Sequence, residues 1–177
     1  MRLLEWKKGD PQGIAQLPPG PALVCDPGAY GAGAFYKPGR VRSVRWVRFR
    51  GMQGVVELAD LGVEHGARYL VIEDQFVKVT RKSGAKVYAA RGSVEGAVAA
   101  MIRDITIVRV PPATWQFGMG YSRARWPDTK AFSAEIAAPH LPPYVRIDWT
   151  AKHREAACDV NTMAEWFWRL LGVCDTV

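Results

Sequence analysis

The sequence predicts an α/β fold, a mixed five-stranded sheet flanked by helices in one domain. Three observations predict it. Short apolar runs closed by turn residues occur at 22–25, 69–72 and 105–110, and runs of that kind read as buried strands. Two further strand-like stretches lie between residues 29 and 49, joined by tight turns. From residue 52 onward, segments with helical periodicity alternate with the remaining strands, the order expected when helices pack on a sheet. A chain of 177 residues, 49% apolar and 23% charged, is long enough to bury one sizeable core.

Residues 1–20 end in Leu17-Pro18-Pro19-Gly20 and read as a turn-rich lead-in to a single domain over 21–177. Ala22-Leu23-Val24-Cys25 is the first strand, stopped by Asp26-Pro27-Gly28. The next strand holds Gly31 and Gly33, and glycine inside a strand marks a close approach by another backbone or a ligand. Lys37-Pro38-Gly39 turns into a third strand over 41–49, completing an antiparallel meander. Val55, Val56, Leu58, Ala59, Leu61 and Val63 give 52–65 an amphipathic helical pattern, with Gly66 as its stop. Tyr69-Leu70-Val71-Ile72 is the fourth strand and ends at Glu73. Alanines over 82–103 predict a helix, although Gly84, Gly92 and Gly96 lower its propensity. Ile105 to Val110 forms the fifth strand and is stopped by Pro111-Pro112. Residues 113–127 read as a glycine- and aromatic-rich loop, 129–138 as a short helix, and 154–171 as a final helix.

Composition narrows the function. Lys and Arg number 24 against 17 Asp and Glu, giving a net charge of +7 and a pI near 9.5, a balance that favours a polyanionic partner. Cys25, Cys158 and Cys174 lack the spacing of a zinc site or a disulfide framework and read as buried reduced thiols. No apolar run approaches the length of a membrane span, and the first residues do not resemble a secretory leader, so a cytoplasmic protein without membrane partners is expected. No GxxxxGK[ST] motif is present, so no nucleotide cofactor is expected.

The acids carry the sharpest signal. Asp26 and Glu73 each end a predicted buried strand, and functional groups gather at the strand ends of open α/β sheets. If those two strands are parallel neighbours, both carboxylates enter one crevice. Glu155 and Asp159 lie four residues apart on one helix face, close to the apolar stripe of Met163, Trp166, Phe167 and Leu170. Burial of that stripe would bring Asp159 towards Asp26 and Glu73. Carboxylates gathered in this way stay ionised together only beside cations, and hard oxygen donors suit Mg²⁺ or Mn²⁺. A pair of such ions can activate water and stabilise a leaving oxygen in phosphodiester cleavage. The plainer alternatives are a turn role for Asp26 and a helix-dipole role for Glu155.

These residues resemble the RuvC-type Holliday junction resolvases of the RNase H-like superfamily. Leu23-Val24-Cys25-Asp26-Pro27-Gly28 resembles the first-strand motif, and Val71-Ile72-Glu73-Asp74-Gln75-Phe76 the second acidic motif. Val110-Pro111-Pro112-Ala113-Thr114 resembles the exit from the fifth strand, and Glu155-Ala156-Ala157-Cys158-Asp159 the terminal acidic motif. The ordered set spans roughly residues 21–170.

The resemblance implies an RNase H-like sheet and a homodimeric, Mg²⁺-dependent endonuclease that cuts four-way DNA junctions. Asp26, Glu73 and Asp159 would be metal ligands for what are expected to be two ions, with Glu155 as the fourth. Cellular members of the family usually carry an acid or histidine where this chain has Ala156; Glu155 and His153 are the nearby candidates to substitute. Gln116 stands where a basic residue is usual, and Lys130 is the candidate for the second basic catalytic contact. Such departures resemble phage-encoded relatives. Phe76 matches an aromatic that meets bases in the family; it would stack on a base or pack beneath its own loop.

Basic residues follow the presumed catalytic strands. Lys78, Arg81, Lys82 and Lys86 form one candidate DNA-binding group, and Arg123 and Arg125 another. A third run, from Lys37 to Arg50, has six cations and no acid. Trp115 and Trp126 bracket the glycine-rich segment and read as core, dimer surface or DNA contact. Two other functions fit the same residues: a non-catalytic junction-binding protein of this fold, and an RNase H-like nuclease acting on flaps or RNA–DNA hybrids.

Overall fold

The computed structural model describes residues 1–6, 12–75 and 82–173. Phe76, Lys78, Arg81 and Cys174 lie outside the described residues, and the side chain of Lys82 is likewise not described. The strands are β1 (Arg2–Glu5), β2 (Ala22–Asp26), β3 (Ala32–Tyr36), β4 (Arg45–Arg48), β5 (Tyr69–Glu73) and β6 (Thr106–Val110). The helices are α1 (Gln12–Ala15), α2 (Met52–Glu64), α3 (Lys82–Met101), α4 (Pro112–Gly118), α5 (Thr129–Ala137), α6 (Pro143–Asp148) and α7 (Ala151–Leu170), with a 3-10 turn at Ala138–His140.

The sheet has the order β1-β6-β5-β2-β3-β4. β1, β6, β5 and β2 run parallel, β3 returns antiparallel to β2, and β4 runs antiparallel to β3. The expected meander is present, and the strands ending at Asp26 and Glu73 are parallel neighbours, which meets the condition for their carboxylates to share one crevice.

The sheet has six strands rather than five, because Arg2–Glu5 pairs with β6 at the edge. An edge strand is buried on one face at most, and the mostly exposed Arg-Leu-Leu-Glu lacks the long apolar run that marks a buried strand.

Side-chain alternation divides the core into two layers. Ala22, Val24, Ala34, Tyr36, Trp46 and Val71 pack against α4, α5 and α7. Leu23, Cys25, Phe35, Val47, Leu70 and Ile72 pack against α2 and α3. The period of two along each strand makes this separation unavoidable. The close backbone approach expected at these glycines occurs at Gly31, while at Gly33 it is a side chain of α2 that comes near, since a Cβ there would sit 2.8 Å from Leu58.

The segment expected to be a loop at 113–127 begins as helix α4. Pro111 caps it in extended conformation and Pro112 occupies its first turn, where the missing N–H costs nothing. Trp115 is fully buried and Trp126 nearly so, which assigns both to the core. Gly118 ends α4 against Trp166; a Cβ there would lie 2.6 Å from the indole ring. Glycine and aromatics, which read as loop signals, serve here to bring two helices close.

The final helix starts at Ala151, three residues before the expected 154. Small residues along it (Ala156, Ala157 and Ala164) are buried and let it lie close to the sheet. The Tyr36 hydroxyl donates to Asn161 Oδ1 at 3.2 Å inside that layer, tying α7 to β3. Helix α5 is capped by Asp128, whose Oδ1 accepts from the Ala131 backbone N–H at 2.8 Å. Asp128→Ala should cost about 1 kcal/mol, read as a lower thermal midpoint. An unchanged midpoint would mean that α5 is held by its packing alone.

Candidate active site

Three carboxylates from three elements meet at the carboxyl ends of the central parallel strands. β2 stops at Asp26 because Pro27 has no N–H to continue the ladder. The Gly28 N–H then donates to Asp26 Oδ1 at 3.0 Å, so the aspartate both closes its turn and remains at the strand end. Gly31 is obligatory here, because a Cβ would lie 2.3 Å from the Asp26 carbonyl oxygen. The register Cys25↔Ile72 sets Glu73 beside Asp26, one strand spacing of about 4.8 Å away. Both project on the α7 side, in phase with Val24 and Val71. Asp159, on α7, completes the group from above the sheet.

All three acids are buried: Asp26 is 6% exposed, Glu73 4% and Asp159 3%. Burial raises the Asp26 carboxyl to about 6, reinforced by the charge of Asp159 and opposed by the Gly28 N–H and Lys130. Burial raises Glu73 further, to about 8, with Asp26 and Asp159 adding to the effect and the Gln75 hydrogen bond and Lys130 opposing it. Asp159 also sits above the ordinary aspartate range through burial, against the pull of Lys130.

Lys130 forms an ion pair with Asp159 Oδ2. Its own pKa is raised; partial burial works against this, but Asp159, then Asp26 and Glu73, outweigh it. Lys130 reaches the site because it lies in the first turn of α5, which packs along α7. Gln75 donates to Glu73 Oε1 at 2.8 Å. The expected site residues do not include Gln75; its only signal in the sequence is a polar amide two residues after a strand-ending acid.

Glu155 is exposed, one helical turn before Asp159, and its charge helps to raise Asp159. It stands at the rim rather than inside the cluster. His153 is buried, with Nδ1 2.7 Å from the Thr150 hydroxyl, and its ring meets Tyr30 and Trp149 edge-on. That is a structural setting. Cys25 and Cys158 are buried thiols as expected, with burial pushing both above the usual thiol range.

Asp26, Glu73 and Asp159 are the hard oxygen donors that a divalent cation of the Mg²⁺ type requires. Asp159 Oδ1 is buried without a hydrogen-bond partner. The Ser133 hydroxyl lies near this carboxylate but donates to the Thr129 carbonyl at 3.1 Å. An orphaned buried carboxylate oxygen beside two further crowded carboxylates fits a cation better than it fits a structural role. Among the described residues, no three such groups already stand in the geometry of a metal cage. Side-chain partners hold two of the three: Lys130 on Asp159 and Gln75 on Glu73.

The candidate DNA-binding residues are dispersed. Lys86 is exposed on α3, and Arg123 is exposed between α4 and α5. Arg125 is exposed too, but pairs with Glu135 at 3.0 Å and lies 4.4 Å above the Trp126 ring. Arg91, on α3, pairs with Asp74 and so braces the chain just after Glu73. No helix among the described residues is long and apolar enough to cross a membrane.

No family model matches the sequence, and no curated protein matches it. Solved structures do match by shape. Thermus thermophilus RuvC in complex with Holliday junction substrate superposes with a TM-score of 0.58 at 12% identity, covering 85% of this chain and 95% of that one. A second Thermus thermophilus RuvC structure gives 0.58 at 12%, covering 86% and 97%. The yeast mitochondrial Holliday junction resolvase Ydc2 gives 0.46 at 11%, covering 90% and 85%. The likeness to RuvC runs through nearly the whole of both chains, and the mixed sheet with helices on both faces is common to them. The chain therefore has the RuvC-type, RNase H-like fold.

Proposed function

We propose that the protein is a metal-dependent endonuclease that cuts branched DNA, with the four-way junction as its substrate. The observation that carries this reading is the meeting of Asp26, Glu73 and Asp159, buried and mutually repelling, at the carboxyl ends of parallel strands. A cluster of that kind costs folding energy, and clustered acids with perturbed titration are a mark of function. The shared fold of a protein solved with a Holliday junction points to the substrate.

In this reading Asp26, Glu73 and Asp159 hold Mg²⁺ or Mn²⁺, with Glu155 at the rim as a fourth donor. Two bound ions would supply an activated water and neutralise charge on the leaving oxygen. Gly28 and Gln75 fix the orientation of the first two carboxylates. Lys130 offsets the negative charge of the site and is positioned to meet a phosphate once Asp159 turns to a cation. Lys78, Arg81, Lys82, Lys86, Arg123 and Arg125 belong to the same proposal as backbone contacts, and Phe76 as a base contact. Two symmetric cuts call for a homodimer with twofold symmetry. The place of action is the cytoplasm.

The test is competition among synthetic four-way junctions, flaps, RNA–DNA hybrids and linear duplex with Mn²⁺ present. The junction should be cut in preference, by paired nicks. Preference for flaps or hybrids would move the assignment to another RNase H-like nuclease. Tight junction binding without cutting would make the protein a junction-binding module.

A further inference from the structure

The basic run from Lys37 to Arg50 has no place in the site described so far, yet the sheet carries part of it to the catalytic end. Asp26 pairs with Ala32 across β2 and β3, and Ala32 pairs with Arg48 across β3 and β4. Directly paired residues share a face, so Arg48 lies on the α7 side, level with Asp26. Two strand spacings separate their Cα atoms by about 10 Å. Glu73 lies on the other side of Asp26, so Arg48 occupies the opposite flank of the cluster.

Around Arg48 is a polar cavity of about 290 Å³, walled by Trp46, Arg48, Arg50, Gln53, Tyr144 and Trp149 among others. Its features suit an anion. Glu57, an acid on the wall, is already paired with Arg45 at 3.3 Å. Arg48 and Arg50 enter no ion pair among the described residues. Trp46 is 5% exposed, and its indole N–H is buried without an acceptor. The first turn of α2 reaches the cavity through Gln53 and Gly54, has no side-chain cap and contains no acid. An uncapped helix start adds unsatisfied N–H groups and a positive partial charge.

The cavity is also stiff. The Arg48 guanidinium lies 5.9 Å above the Trp149 ring, and Trp149 meets Trp46 and His153 edge-on. Gly54 lets α2 approach the end of β4, since a Cβ there would lie 2.7 Å from the Arg48 carbonyl oxygen. Arg48 is thus held at the cavity by its neighbours, which lowers the ordering cost of binding a ligand.

We propose that this cavity is a phosphate-binding subsite for a nucleic-acid strand, gripping the backbone beside the phosphodiester at Asp26, on the flank away from Glu73. The inference rests on the nuclease reading for its substrate and on the cavity for its location. Its sequence signature is the alternation Trp46-Val47-Arg48, followed by Arg50 and the helix start.

The experiment measures equilibrium binding of a labelled four-way junction and a linear duplex without divalent metal, across a series of salt concentrations. The parent is compared with Arg50→Gln and with Arg48→Gln/Arg50→Gln. Removing one arginine–phosphate interaction should flatten the slope of log affinity against log salt by about 0.9, so the double variant should flatten it by nearly twice that. Arg50 is exposed and makes no described contact, so Arg50→Gln keeps the test open if the double variant fails to fold. Unchanged slopes in a folded variant would overturn the subsite, as would a parent whose binding ignores salt. Cleavage is scored separately in Mn²⁺. A parent that cuts nothing while the variants show flattened slopes would sink the nuclease reading and leave the subsite standing.

Discussion

Asp26→Asn should abolish metal-dependent cutting of a four-way junction while leaving junction binding in place. Asn has the same size and keeps an oxygen to accept from the Gly28 N–H, so the turn after β2 survives. What disappears is the negative charge that Asp26 brings to the cluster. Removing a residue that merely orients a metal ligand costs about 10- to 100-fold, so removing a ligand itself should cost more than about 100-fold. The measurement is single-turnover cleavage in Mn²⁺, with binding measured in parallel. Calorimetric Mn²⁺ titration gives a second readout, since the variant should lose most of the binding heat. Parent-like cleavage by this variant would remove the basis for the nuclease assignment.

Glu73→Gln should raise stability while it removes activity. A carboxyl raised to about 8 in the folded state and near 4.5 in the unfolded chain favours folding only while it stays protonated. Its stabilising contribution is complete below pH 4.5, declines as the pH rises, and is gone above pH 8. Asp26 acts in the same sense over a lower window, up to about pH 6. The metal-free protein should therefore lose stability between mildly acidic and mildly alkaline conditions. The variant should lose less, and at pH 8 it should be the more stable of the two by on the order of 1–3 kcal/mol. For a chain of this size each kcal/mol moves the thermal midpoint by about 2–4 °C.

Adding Mn²⁺ should reverse the order, because a ligand that binds only the folded parent stabilises it, by about 2.7 kcal/mol at a hundred times the dissociation constant. Equal pH profiles for parent and variant would mean that Glu73 does not carry the penalty. Cleavage should fail in the variant even where it is the more stable protein. A site that is unfavourable for folding until cations arrive is what the grouping of buried acids predicts, and these two variants separate its cost from its use.

Much of the fold and of the candidate site is legible in the chain. Asp26 and Glu73 stand out because an acid at the end of an apolar run is visible without coordinates. Asp159 follows from helical spacing relative to Met163 and Phe167. The core strands are legible because burial on both faces demands continuous apolar runs, as in Leu70-Val71-Ile72. Elsewhere local pattern and tertiary use diverge. Residues 2–5 have no apolar alternation because an edge strand needs little. Trp115 and Gly118 look like loop residues because their reason for being there, the face of α7, lies about 50 residues further along the chain.

Composition and short-range period are enough for the α/β class, the identity of the acids and the basic balance of the surface, because none of these depends on distant parts of the chain. Other relations exist only once the chain is packed: Lys130 pairs with Asp159, Glu155 stays at the rim while Asp159 turns inward, and Arg48 shares a level with Asp26. They follow from strand order, register and the rotation of a helix about its axis. A one-residue change in any of them would move the side chain to another face without altering the local pattern that the sequence displays.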